Sequence, residues 1–84
     1  MAVDVYLLSA FGGPLTARLP PANAAEAVGR VVTIKKTDTS ANAVTVTEQG
    51  GSGPDQYTQP LSSQYSAITV VSDGGQWFIT GRFG

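Results

Sequence analysis

From Gly29 to Thr47 the chain reads GRVVTIKKTDTSANAVTVT, and a period of two in its β-branched residues restricts what it can fold into. Val32 and Ile34 alternate with Val31 and Thr33, and Val44 and Val46 alternate with Thr45 and Thr47. Successive side chains of a strand point to opposite faces, so such runs bury one face and leave the other half polar. Between them, Thr37-Asp38-Thr39-Ser40-Ala41-Asn42 is rich in side chains that hydrogen-bond nearby backbone, and Asn tolerates a left-handed conformation. The stretch predicts a β-hairpin with a turn longer than two residues. Lys35 and Lys36 close its first run, where charge discourages pairing with another molecule.

The rest of the chain supplies further short strands. Ala67 to Ser72 and Trp77 to Thr80 are rich in β-branched and apolar residues, and Asp73-Gly74-Gly75 between them predicts a tight second hairpin. Val3 to Ala10 carries Val5, Tyr6, Leu7 and Leu8 in succession, which suits a strand covered on both faces. A buried helical segment competes with that reading, but the run is short and Gly12-Gly13-Pro14 ends it abruptly. Leu15 to Leu19 alternates and stops at Pro20-Pro21, as an edge strand would. Ala22 to Val28 lies between Pro21 and Gly29, a helix-like pattern only about two turns long that must dock on the sheet or remain an ordered loop. Glu48 to Pro60 is a Gly- and Pro-rich loop, and Leu61 to Tyr65 reads as a turn that drops Leu61 and Tyr65 into the core. The expectation is a single all-β domain over residues 1–84, a small antiparallel sandwich or barrel-like module of about six short strands. Residues 1–13 are a candidate extending arm, with Gly12-Gly13 as its pivot.

Size and composition narrow the function. A chain of 84 residues buries only ~60–65% of the surface its unfolded form exposes, and small domains commonly add disulfides, a metal or oligomerisation. The absence of Cys and His removes disulfides, thiolate sites and almost all zinc chemistry, which leaves oligomerisation. Five basic against six acidic residues, scattered, give a net charge of −1, with no electrostatic footprint for nucleic acid. Only 13% of residues are charged while 42% are hydrophobic, a composition that suits burial against partners. No apolar run reaches the ~18 residues of a membrane span, and VYLLSAF lacks the basic flank of a signal peptide.

Candidate chemistry is sparse. General acid/base work would fall to Asp4, Glu26, Asp38, Glu48, Asp55 or Asp73, and two carboxylates could form a glycosidase pair. Asp38 and Asp73 sit where turns want a short polar side chain, Glu26 where a short helix wants a solvated face, and Asp55 in a Gly-rich loop. Ser62, Ser63 and Ser66 have no neighbouring base to activate them. Gly50-Gly51-Ser52-Gly53 lacks the Lys-Ser/Thr pair of a phosphate cradle. Trp77, Tyr57 and Tyr65 could stack on sugars, although Trp77 opens an apolar strand and is expected in the core or between chains. No catalytic, cofactor-binding or metal-binding residue is assigned.

The order of these segments resembles a family. Gly29-Arg30, Ile34-Lys35-Lys36, Ser40-Ala41-Asn42, Val44-Thr45-Val46 and Ser72-Asp73-Gly74-Gly75-Gln76-Trp77 are similar to the short β-rich module of bacteriophage virion proteins, found towards the C-terminal ends of tail fibres and spikes. The similarity runs from about Leu15 to Thr80. Members usually carry a TIDG-like segment midway, where this chain reads Gly50 to Tyr57. The resemblance implies an intertwined homotrimer in a virion. With Met1 opening little more than one module, the expected role is a capsid decoration, or cement, protein that binds the major capsid protein and itself. A tail fibre, spike or neck component is the alternative in that class, and a carbohydrate-binding module the alternative outside it.

Overall fold

A computed structural model describes residues 3–25, 27–49 and 53–83. Its strands are β1 (Val3–Leu8), β2 (Leu15–Leu19), β3 (Val31–Lys36), β4 (Val44–Glu48), β5 (Gln59–Leu61), β6 (Ala67–Ser72) and β7 (Trp77–Phe83). They form a four-stranded sheet in the order β1-β3-β6-β7 and a three-stranded sheet in the order β2-β4-β5. The fold is all-β, as the sequence predicts, but with seven strands and mixed pairing: β1 runs parallel to β3, and β2 runs parallel to β4.

The Gly29–Thr47 hairpin is not formed. Both of its runs are strands, yet β3 pairs with β1 and β6 while β4 pairs with β2 and β5. The reason is an arch. The chain leaves the larger sheet after β3, crosses through Thr37–Ala43 and enters the smaller sheet as β4. β1 and β2 are joined by the same kind of crossing, so the second arch stacks on the first with both running in the same sense, which makes the pairing in each sheet parallel.

The period-two pattern decides what faces inward. In β3 the buried positions are Val32, Ile34 and Lys36, and in β6 they are Ile68, Val70 and Ser72. Val44, Val46, Leu19 and Leu61 of the smaller sheet complete one core with them, together with Ala10, Ala22, Ala27 and Trp77. Lys36 is therefore an interior residue and not an edge charge. The second hairpin forms as expected: Asp73 Oδ1 accepts from the N–H groups of Gly75 and Gln76 at 2.9 and 3.0 Å, and Gly74 takes a φ of 101°, a conformation suited to glycine. An extra residue in β7, opposite Thr69 and Val70, makes a bulge.

Other expectations change. Residues 22–25 and 27–30 are a succession of turns, with Ala24 N–H bonded to Pro21 O and Ala27 N–H to Ala24 O; Glu26 lies outside the described residues, as do Gly50, Gly51 and Ser52. This is the ordered-loop alternative, since so short a segment gains more by matching β6, where Gly29 N–H bonds Ser72 O at 2.9 Å. Tyr65 stays half exposed because its positive φ of 68° turns the ring out, where Lys35 Nζ lies 5.4 Å from its centroid. β1 is not covered on both faces: Val5 and Leu7 are 61% and 66% exposed.

Trp77 fills the centre, with no exposed surface and its indole Nε1 donating to Pro20 O at 2.8 Å. Trp77→Ala is expected to lower the unfolding free energy by about 3–5 kcal/mol, a large part of the ~5–15 kcal/mol typical of a whole domain. Urea denaturation measures it; a loss below about 1 kcal/mol would show that the ring is not part of the core.

Candidate functional site

The stacked arches meet in a buried polar cluster. Lys36 has no exposed surface, and its ammonium donates to Asp38 O at 3.0 Å and Ser40 O at 2.8 Å while lying 3.0 Å from Asp38 Oδ2. Asp38 in turn accepts from Ala10 N–H at 2.8 Å, from Ser40 N–H at 3.0 Å and from the Ser40 hydroxyl. Asn42 Nδ2 donates to Ala10 O at 2.9 Å, and Thr37 N–H donates to Leu8 O at 2.9 Å. The Thr37–Asn42 polar segment thus performs the local hydrogen bonding its composition predicts, but it fastens one arch loop to the next instead of closing a hairpin. Burial raises the Asp38 pKa, and the hydrogen bonds from Ser40, Ala10 and Lys36 outweigh it and hold the carboxyl well below the usual carboxylate range.

The other described carboxylates are also engaged in structure. Asp4 pairs with Arg30, Glu48 Oε2 accepts from Ala22 N–H at 3.2 Å, and Asp55 Oδ1 accepts from Ile79 N–H at 3.1 Å. Asp73 holds the β6–β7 turn. Among the described residues, no group of three or more His, Cys, Asp or Glu gathers as a metal site would require. Ser62 and Ser63 are exposed, and buried Ser66 donates its hydroxyl to Ser63 O at 2.6 Å. Of the aromatic residues considered for sugar stacking, Trp77 is withdrawn into the core, while Tyr57 and Tyr65 remain at the surface.

The feature that only the topology reveals is the outer face of the larger sheet. Register places Val5 and Leu7 of β1 beside Thr33 and Lys35 of β3, Thr69 and Ala67 of β6, and Phe83 of β7; Val31, Val71 and Phe78 form a further row. Phe78 and Phe83 are 38% and 67% exposed. At the middle of this face Thr33 and Thr69 hydrogen-bond each other through their hydroxyls at 2.9 Å, so covering the face leaves neither hydroxyl without a partner. Lys35 is its single charge. The outer face of the smaller sheet carries instead Thr16, Arg18, Thr45, Thr47 and Pro60.

The two sides of the sandwich also differ. On the β7–β5 side, Arg82 Nη1 donates to Gln59 Oε1 at 2.8 Å and Asp55 reaches Ile79, which ties the sheets together. The β1–β2 side stays open as a cleft of about 340 Å³, walled by Tyr6, Leu8, Leu19 and Ile34 with Arg18 and Arg30 beside them. No family model, curated protein or solved structure matches this chain.

Because the folded pKa of Asp38 lies below that of an unfolded aspartate, ~3.9, the unfolded chain binds more protons below about pH 4. Stability is expected to be level from neutral pH down to that point and to fall as pH drops through the folded pKa. Asp38→Asn removes this dependence and leaves the Lys36 ammonium without its counter-charge, lowering the thermal midpoint by on the order of 10 °C. Thermal melts of both proteins between pH 2 and 7 check the slope and its loss.

Proposed function

We propose that this protein is a bacteriophage virion structural protein: a homotrimeric capsid decoration protein at the capsid surface, which stabilises the head by burying surface against copies of itself and the major capsid protein. The observation that carries the reading is the apolar outer face of the larger sheet, where Val5, Leu7, Phe78 and Phe83 are exposed together. Exposed apolar patches of this kind mark interaction sites. The face is large enough to matter: four strands at ~4.8 Å spacing and six residues at ~3.3 Å rise give a footprint of roughly 19 by 20 Å. Its two threonine hydroxyls bond each other, which leaves Lys35 as the one charge that a partner covering the face must meet.

The resemblance carried by Ile34-Lys35-Lys36, Ser40-Ala41-Asn42 and the Asp73-Gly74-Gly75-Gln76-Trp77 turn supports the virion setting. Each decorating molecule adds linkage between capsid subunits, and by mass action anything that binds the assembled shell raises its stability. A position in the tail, as a fibre, spike or neck component, uses the same face and differs in where the protein is found.

Phe83→Asp puts a charge on the exposed face without touching the core, so the chain is expected to fold with a near-unchanged urea midpoint. Its mass by light scattering is expected to fall from an assembly containing three copies to that of smaller species, against 8.7 kDa for one chain. Microscopy of intact particles carrying the labelled protein then separates head from tail. A wild-type chain that stays a folded monomer at micromolar concentration would overturn the proposal.

A further inference from the structure

The strand edges of this molecule are not treated alike. β7 has its Ile79 N–H taken by Asp55 and its Arg82 bound across to Gln59 and Pro60 O. β5 is three residues long with Pro60 at its middle. β2 lies between Pro14 and Pro20 and carries exposed Arg18. Covering, shortening, proline and charge are the usual means of blunting an edge. β1 is neither covered, short nor broken by proline: its six residues are VDVYLL, and its one charge, Asp4, is paired with Arg30 of its own chain.

The backbone of β1 shows which groups are left over. Leu8 O accepts from Thr37 N–H, so the backbone groups of Leu8 point towards β3, and by the period of two those of Tyr6 and Asp4 do as well. The N–H and C=O groups of Val5 and Leu7 therefore point out of the sheet, and among the described residues they have no partner. Val5, Tyr6 and Leu7 are 61%, 48% and 66% exposed.

We infer that β1 is a pairing edge for the β1 strand of a second copy, antiparallel and across a two-fold axis at Tyr6, so that two four-stranded sheets join as one. The occupant follows from what the edges offer. Edge pairing in a ring needs two different complementary edges, and the other edges are blunted; a two-fold needs only one edge matched to itself. In this register Val5 lies opposite Leu7 of the other copy and Leu7 opposite its Val5, each pair exchanging two hydrogen bonds. Asp4 falls opposite Leu8, so no like charges face each other. The two Tyr6 rings meet at the mouths of the two open clefts, since Tyr6 lines the cleft of its own chain. The apolar outer faces become continuous. A contact of this size belongs with the small, reversible interfaces, and because it is isologous it doubles whatever assembly the sheet faces build.

The inference does not depend on the virion assignment, and its test is independent of it. Val5→Pro deletes an outward N–H that the chain's own sheet does not use, a substitution edge strands tolerate. It is expected to leave the circular dichroism spectrum and urea midpoint close to wild type and to halve the limiting mass in sedimentation equilibrium, whether the unit doubled is a trimer or a single chain. The chain contains no cysteine, so in Tyr6→Cys a disulfide can form only between copies. Across the proposed axis the two Cα atoms lie ≈4.5 Å apart, within disulfide reach, whereas two Val5→Cys positions would be diagonal neighbours at about 7–8 Å. Mild oxidation is expected to crosslink Tyr6→Cys at least tenfold faster than Val5→Cys. Equal rates at the two positions, or an unchanged mass for folded Val5→Pro, would overturn the inference; if Val5→Pro does not fold, the two cysteine rates decide it alone.

Discussion

The arrangement depends on one buried contact, the Lys36 ammonium held by Asp38 and two backbone carbonyls where the arches stack. A parallel pair of arches brings two loops into register, and each loop carries peptide groups that no ladder can satisfy. Asp38 takes the Ala10 and Ser40 amides, Lys36 takes the Asp38 and Ser40 carbonyls, and Asn42 takes the Ala10 carbonyl. The charges lie in the interior because the loops lie there. An apolar pair of the same volume would leave those peptide groups unsatisfied, which sets this cluster apart from buried ion pairs that hydrophobic residues replace without loss.

From that junction the rest of the sandwich follows. With the arch loops fastened, β1 is set beside β3 and β2 beside β4, and Trp77 is left to fill the space under Pro20. Ser72 and Glu48 then anchor the turn-rich segment through Ala22, by Ser72 Oγ to Ala22 O at 2.6 Å and by Ala22 N–H to Glu48. A domain with no disulfide thus gains cross-links from side chains that bond distant backbone. Of the large apolar side chains that stay exposed, Val5, Leu7, Phe78 and Phe83 share the outer face of one sheet.

Much of this was legible in the sequence, but only as far as local physics reaches. The period of two located β3, β4 and β6, and Asp73-Gly74-Gly75 located the turn before Trp77. A period reports which way a side chain faces and is silent about which strand lies alongside, so the stretch from Val31 to Val46 fitted a hairpin as well as an arch. The interior place of Lys36 was present in the pattern, since Val32 and Ile34 lie on the same face, and charge at a run's end obscured it. The turn composition around Asp38 and Asp73 predicts structural carboxylates, and both hold backbone. The outer face could not be read, because Leu7, Lys35, Ala67 and Phe83 become neighbours only through the register of four strands.

The stacked arches also set an order in time. β1 and β2 pair only with strands that follow them in the chain, β1 with Val31–Lys36 and β2 with Val44–Glu48. While the polypeptide leaves the ribosome, the run from Val5 to Leu8 therefore has no strand to join until β3 has emerged, and β6, the other neighbour of β3, arrives later still. Non-local pairing of this kind makes folding slow relative to helical domains of the same size. The apolar strand β1 is thus synthesised before the one strand it pairs with and must wait for it, so its exposure during synthesis is a property of the topology itself.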